Sequence, residues 1–168
     1  MHRVFISHHH EDDNQVKKFV DEFSKRYGIF ETEIVGPYYD TEINSDNPDY
    51  IMKVIRENYL TNSTVTIVMI GEETWKRKYV DWEIASTLRD DPINKRSGLI
   101  GIFLPGLNSL NTKIPERLQD NVNTGYAKLY TYPFSPFNLD KWIEDAFERK
   151  EKEGYLVDNS RTLYKNNR

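Results

Sequence analysis

Apolar positions along the chain follow two kinds of pattern. Short unbroken runs, Val4-Phe5-Ile6, Val65-Thr66-Ile67-Val68-Met69-Ile70 and Leu99-Ile100-Gly101-Ile102-Phe103-Leu104, are too short for helices and predict strands buried on both faces. Between them apolar residues recur at steps of three and four. Val16, Phe19, Val20 and Phe23 mark one face of a first helix, with Glu11-Asp12-Asp13 suited to its positive end. A second helix opens at Asp46-Asn47-Pro48, where proline fits the first turn, and carries Ile51, Ile55 and Tyr59 along one side. The spacing predicts a third helix over 74–88. A last one, after the Ser135-Pro136 turn signal, places Leu139, Trp142, Ile143, Ala146 and Phe147 on one stripe. Lys128-Leu129-Tyr130-Thr131-Tyr132 reads as the final strand before it.

Strands alternating with helices predict an α/β fold: an open, mainly parallel, five-stranded sheet with helices on both faces and a flavodoxin-like strand order. The second strand belongs somewhere within 28–40, but Gly36-Pro37 interrupts that stretch and the pattern does not place it. Residues 105–125, rich in Asn, Leu and Pro, read as a long connection of the kind that forms lids or partner surfaces. Periodicity fades after Lys152. The expected organisation is one domain over 1–150 and a C-terminal tail over 151–168 that is flexible or docks.

Composition narrows the function classes. The 168 residues include 11 Tyr, 8 Phe and 3 Trp, enough aromatic area for a sizeable core, and no Cys, which removes disulfides, thiol nucleophiles and thiolate metal sites together. A formal charge of −4, with both signs interspersed, gives no general field for a polyanion, so nucleic acid is not an expected partner. No apolar run reaches the length of a membrane span, and the opening run is too short for a signal peptide. The expectation is a soluble, cytoplasmic protein with no membrane partner.

In an open parallel sheet, ligands bind beyond the carboxyl ends of the strands. Three segments share that rim: Ser7-His8-His9-His10-Glu11-Asp12, Tyr38-Tyr39-Asp40 and Gly71-Glu72-Glu73-Thr74-Trp75. All four histidines fall in the first ten residues, but three adjacent side chains do not readily converge on one ion, and no separated His or Cys completes a metal signature. No metal site is expected. The loop either caps the next helix or lends one residue, His9, to a ligand. On the third helix, taking Val80, Ile84, Thr87 and Leu88 as the buried stripe, Glu83 falls at the stripe's edge with Tyr79 one turn before it and Trp75 one turn earlier again. Such a carboxylate is partly desolvated beside aromatics, as a catalytic or sugar-binding acid should be, although most helical Glu are solvated surface groups.

The opening Val4-Phe5-Ile6-Ser7-His8-His9-His10-Glu11-Asp12 resembles the first strand and loop of TIR and TIR-like domains. The succession Ser63 to Gly71, then Thr74-Trp75, then Tyr79-Val80-Asp81-Trp82-Glu83-Ile84, is similar in order and spacing to their strand, loop and catalytic helix. Over about residues 4–104 the likeness is to the TIR-like proteins of bacterial Thoeris antiphage defence. Many TIR domains carry Trp where this chain has Tyr79, which preserves an aromatic wall.

That resemblance implies that Glu83 is the catalytic residue of an NAD-cleaving enzyme, with NAD as substrate and no bound cofactor. It further implies a cyclic ADP-ribose-type product that activates a separate effector protein, and an active form that is a homo-oligomer. Ser7, His9, Tyr39, Asp40, Trp75 and Tyr79 would line the pocket. Two rival readings stay open: a TIR-type interaction module without catalysis, and another glycosidic-bond enzyme of the nucleoside deoxyribosyltransferase kind. A phosphoreceiver fits less well, because the run 65–70 ends in Gly71-Glu72 rather than an acceptor Asp.

Overall fold

The computed structural model describes residues 1–32, 45–92 and 95–168. Its strands are β1 (His2–Ser7), β2 (Phe30–Glu31), β3 (Val65–Ile70), β4 (Gly98–Phe103) and β5 (Lys128–Tyr130), and its helices are α1 (Asp13–Phe19), α2 (Pro48–Ile55), α3 (Lys78–Leu88), α4 (Glu116–Thr124) and α5 (Pro136–Lys152). The first two helices run on in wider π-type turns over Val20–Arg26 and Arg56–Leu60. The sheet has the order β2-β1-β3-β4-β5 and every pairing is parallel. This is the α/β, flavodoxin-like arrangement that the alternation of patterns predicts. The second strand, left unplaced by its pattern, is among the described residues the pair Phe30–Glu31 beside His2 and Arg3.

β3 and β4 are buried at every position, as strands covered on both faces must be. Alternation then divides their side chains between two cores. Val4, Val65, Ile67 and Met69 face α1 and α5, where Phe19, Phe23, Leu139 and Ile143 complete one cluster. On the opposite face Val68, Ile70 and Phe103 meet Val80, Ile84 and Leu118 from α3 and α4, and Phe5 joins Ile51, Ile55, Tyr79 and Trp82. Close approach of α5 to the sheet requires Gly98, since a Cβ there would lie 2.5 Å from the carbonyl oxygen of Ala146. Two helix starts follow their sequence signals: Asn47 accepts from the amides of Asp49 and Tyr50 ahead of Pro48, and Ser135 accepts from that of Asn138 ahead of Pro136.

One expectation is corrected. The stretch 105–125 is not a structureless connection, because α4 occupies its second half and closes on Gly125 in the left-handed region (φ 89°). Its inward residues include Arg117 and Asn121 beside Leu118, so its buried face has no apolar period to read. The segment 157–168 runs back along α3 and α4 and is fastened there. Asn121 and Asp158 exchange two hydrogen bonds, Asn159 Nδ2 donates to the carbonyl of Ala85, Tyr164 is buried, and the amide of Arg168 reaches the carbonyl of Lys76. No helix among the described residues is long and apolar enough to cross a membrane.

Candidate active site

Ser7 ends β1, and the two-residue period that turns Phe5 toward α2 and α3 turns Ser7 the same way. Opposite it on α3 stand Glu83 and, one turn later, Thr87. Ser7 Oγ donates to Glu83 Oε1 at 2.6 Å, and Thr87 Oγ1 lies 2.8 Å from Thr66 Oγ1 on the neighbouring strand. Thr87 Oγ1 also stands 2.9 Å from the backbone carbonyl of Glu83, so the sheet grips the helix at both turns. The carboxyl group is held by the hydroxyl at a strand end.

Its environment differs from the expected one. Every residue of α3 from Tyr79 to Leu88 is buried, and Glu83 is 3% exposed, inside the fold rather than at the edge of a stripe. Glu83 itself faces the end of β1, and the remaining sides of α3 are covered by α2, α4 and the C-terminal segment. Burial pushes the Glu83 carboxyl up to about 8, and the Ser7 hydrogen bond opposes that shift only in part.

Tyr79 lies one turn before Glu83 and is also enclosed. Its ring sits 4.9 Å from that of Trp82, and the ammonium of Lys78 lies 5.3 Å from each ring centroid. Trp75 precedes the helix, half-buried, on a short 3₁₀ turn over Thr74–Lys76, with Lys113 Nζ 4.4 Å from its ring centroid. His9 is buried; desolvation and the nearby Arg77 and His10 hold its pKa below the ordinary histidine value, against the pull of Glu11. It lines a cleft of about 310 Å³ at the carboxyl edge of the sheet together with Asp12, Gly71 and Glu72, and neither Ser7 nor Glu83 is among that cleft's lining residues. Ser7 and Glu83 are thus in direct contact, Tyr79 stands a turn away, and His9 and Trp75 are on the flanking loops. Tyr39 and Asp40 lie outside the described residues.

The histidine run divides in a way its spacing does not suggest. His8 Nε2 pairs with Asp13 at 2.5 Å, while His9, His10 and Glu11 bring donor atoms within 4.8 Å of one another.

A further group escaped sequence reasoning. Arg117 on α4 makes a two-pronged ion pair with Asp81 on α3, at 2.9 and 3.3 Å, and both are almost wholly buried. Asp81 Oδ2 also accepts the amide of Tyr164, Arg117 donates to Asn159 Oδ1, and Trp82 Nε1 donates to the carbonyl of Tyr164. The only signal was an acid at Asp81 between the apolar and aromatic residues Tyr79, Val80 and Trp82; nothing marked Arg117 as its partner.

A strand-end serine bonded to a buried helical glutamate, on a 2-1-3-4-5 parallel sheet, coincides with a family model described as Thoeris protein ThsB, TIR-like domain, which matches residues 5–109. The chain belongs to that family. No curated protein matches it. The Thoeris TIR-like match runs from β1 past β4 and takes in Ser7, His9, Trp75, Tyr79 and Glu83. It stops before α4, so Arg117 and the C-terminal strap belong to the part of this TIR-like protein that the family model does not reach.

Proposed function

We propose that this protein is an NAD-cleaving enzyme of Thoeris antiphage defence, producing a cyclic ADP-ribose-type signal that activates a separate effector. The observation that carries the reading is the Glu83 carboxyl, buried and held by Ser7 within the span of the Thoeris TIR-like match. Membership of the Thoeris family points to a role in that defence; the reaction, its product and the effector are the proposal.

The chemistry suits one enclosed carboxyl group. Cleavage breaks the bond between the ribose anomeric carbon and the pyridinium nitrogen. The electron pair leaves with nitrogen, nicotinamide departs neutral, and no general acid is needed. The positive charge moves to the sugar as an oxocarbenium-like centre, which a negative carboxylate stabilises in a low-dielectric site. A hydroxyl or ring nitrogen of the same molecule then forms the new bond and a cyclic product; water gives the open one. A pKa of about 8 leaves Glu83 mostly protonated in the free protein at neutral pH. A cationic pyridinium ring arriving beside it favours the ionised form, so substrate and carboxylate charge stabilise each other. Ser7 orients the carboxyl; His9, Trp75 and Tyr79, with Tyr39 and Asp40, are proposed as the surrounding contacts, and a homo-oligomer as the active form.

The enclosure of Glu83 also favours a second reading, in which the acid is a packed structural residue and the domain acts by protein association. NAD loss and product mass in lysates of phage-infected cells expressing wild type or Glu83→Gln separate the two. A nicotinamide-free cyclic product from wild type alone is expected. Equal NAD levels in both, in cells where the protein protects, would transfer the assignment to the interaction module.

A further inference from the structure

His9, His10 and Glu11 follow β1 directly, and their donor atoms lie within 4.8 Å of one another. Consecutive side chains converge here because the backbone changes course between them. His9 is extended (φ −80°, ψ 135°), and a 3₁₀ turn begins at His10. The two imidazole rings meet edge-on at 4.5 Å, and the Glu11 carboxylate turns back to within 3.5 Å of His9 Nε2.

Two further observations mark the place as built for a ligand. His9 is 5% exposed, yet among the described residues its buried Nδ1 has no hydrogen-bond partner, and neither has Asp12 Oδ2, which lines the same cleft. Buried acceptors without partners cost free energy that a bound cation would offset. The backbone also makes room for the carboxylate, since a Cβ at Gly71 would fall 2.2 Å from Asp12 Oδ2.

Charge favours a cation. Glu11, Asp12, Glu72 and Glu73 all face the cleft, and Lys76 pairs with Glu73 alone. Among the described residues Arg77 stands near His9, and His8, beside Asp12, is engaged by Asp13. Two imidazole nitrogens and a carboxylate suit borderline first-row ions, whereas magnesium and calcium prefer an all-oxygen shell. His10 and Glu11 are exposed and free to rotate the short distance that coordination requires.

We propose that His9, His10 and Glu11 form a binding site for one divalent transition-metal ion, zinc or nickel, at the mouth of the acidic cleft after β1. The site shares His9 with the contacts proposed for NAD, but it does not require NAD cleavage and its test reads zinc alone. Its test is titration of the untagged full chain with zinc against a chromophoric chelator. One ion per chain at micromolar concentrations is expected. His10→Gln and Glu11→Gln, exposed changes that leave the core intact, should each weaken binding by about tenfold or more, since even outer-sphere partners are worth about that much. His2→Gln should bind as wild type, because His2 lies at the far end of β1 against Thr64 and Glu144. No competition at micromolar zinc, or equal binding by wild type and the His10 and Glu11 variants, would overturn the assignment.

Discussion

Ser7 Oγ and Glu83 Oε1 stand 2.6 Å apart although 76 positions separate them in the chain. The contact joins the end of β1 to the second turn of α3, and it lowers the carboxyl pKa against the burial that raises it. Removing the hydroxyl by Ser7→Ala therefore drives the pKa above about 8. A hydrogen bond to a charged group is worth about 1.5–3 kcal/mol, or roughly one to two pH units. If ionised Glu83 is the reacting form, the rising limb of kcat/KM for NAD moves to higher pH by that amount. A pH profile that keeps its position in Ser7→Ala would remove Glu83 ionisation from the mechanism.

The same burial ties stability to pH, with a definite sign. Below about pH 4.5, the ordinary value for this acid, both folded and unfolded chains keep the proton and no penalty exists. Between there and about pH 8 the unfolded chain ionises while the folded one stays protonated. The folded state then binds more protons, and stability falls with rising pH by up to about 1.4 kcal/mol per unit. Above about pH 8 the loss levels off. Glu83→Gln has no proton to lose, so its stability relative to wild type should climb by about 3 kcal/mol from pH 4.5 to 7. Urea denaturation of both proteins across that range is the check, and parallel curves would show that Glu83 is ionised in the fold.

Asp81 and Arg117 fix α3 to α4 through a pair with almost no solvent contact. Breaking one side strands a buried charge, so Asp81→Leu or Arg117→Met should each cost about 3–5 kcal/mol. Asp81→Leu combined with Arg117→Met should recover a large part, because the cost lies in the unpaired charge rather than in the lost pair. Chemical denaturation of the single and double variants gives the coupling energy directly. Additive losses would mean that the two residues act separately.

Much of this architecture was legible from the chain. Continuous apolar runs at 65–70 and 99–103 marked central strands, because a strand covered on both faces has no polar side to show. Asn47-Pro48 and Ser135-Pro136 marked helix starts, because their caps are local. The placement of Ser7 at the end of a strand and of Glu83 on the helix after β3 was legible through order and spacing. What pattern reading missed is long-range and polar. α4 turns Arg117 and Asn121 inward, where each is satisfied by residues more than thirty positions away, so its buried face looks like a loop. The depth of Glu83 was hidden for the same reason. A helix buried on all sides has no stripe, and its cover comes from the sheet, α2, α4 and the strap together, elements distant from it in the chain.

That strap supplies the last expectation. Tyr164 is 4% exposed, its amide donates to Asp81 and its carbonyl accepts from Trp82 Nε1, so one residue bonds to two successive positions of α3. Beyond it, Asn167 Oδ1 accepts the first amide of α3, that of Lys78, a group every helix leaves without an internal partner. Tyr164→Ala leaves both backbone bonds available but removes the ring that seats them, at a cost of about 3 kcal/mol, as for other buried aromatics. Loosening the strap should then open α3 first, so hydrogen exchange should quicken at the amides of residues 78–84 before those of β3 and β4. Uniform acceleration across the domain would instead make the strap part of one cooperative core, and unchanged exchange would mean that the backbone bonds alone hold it.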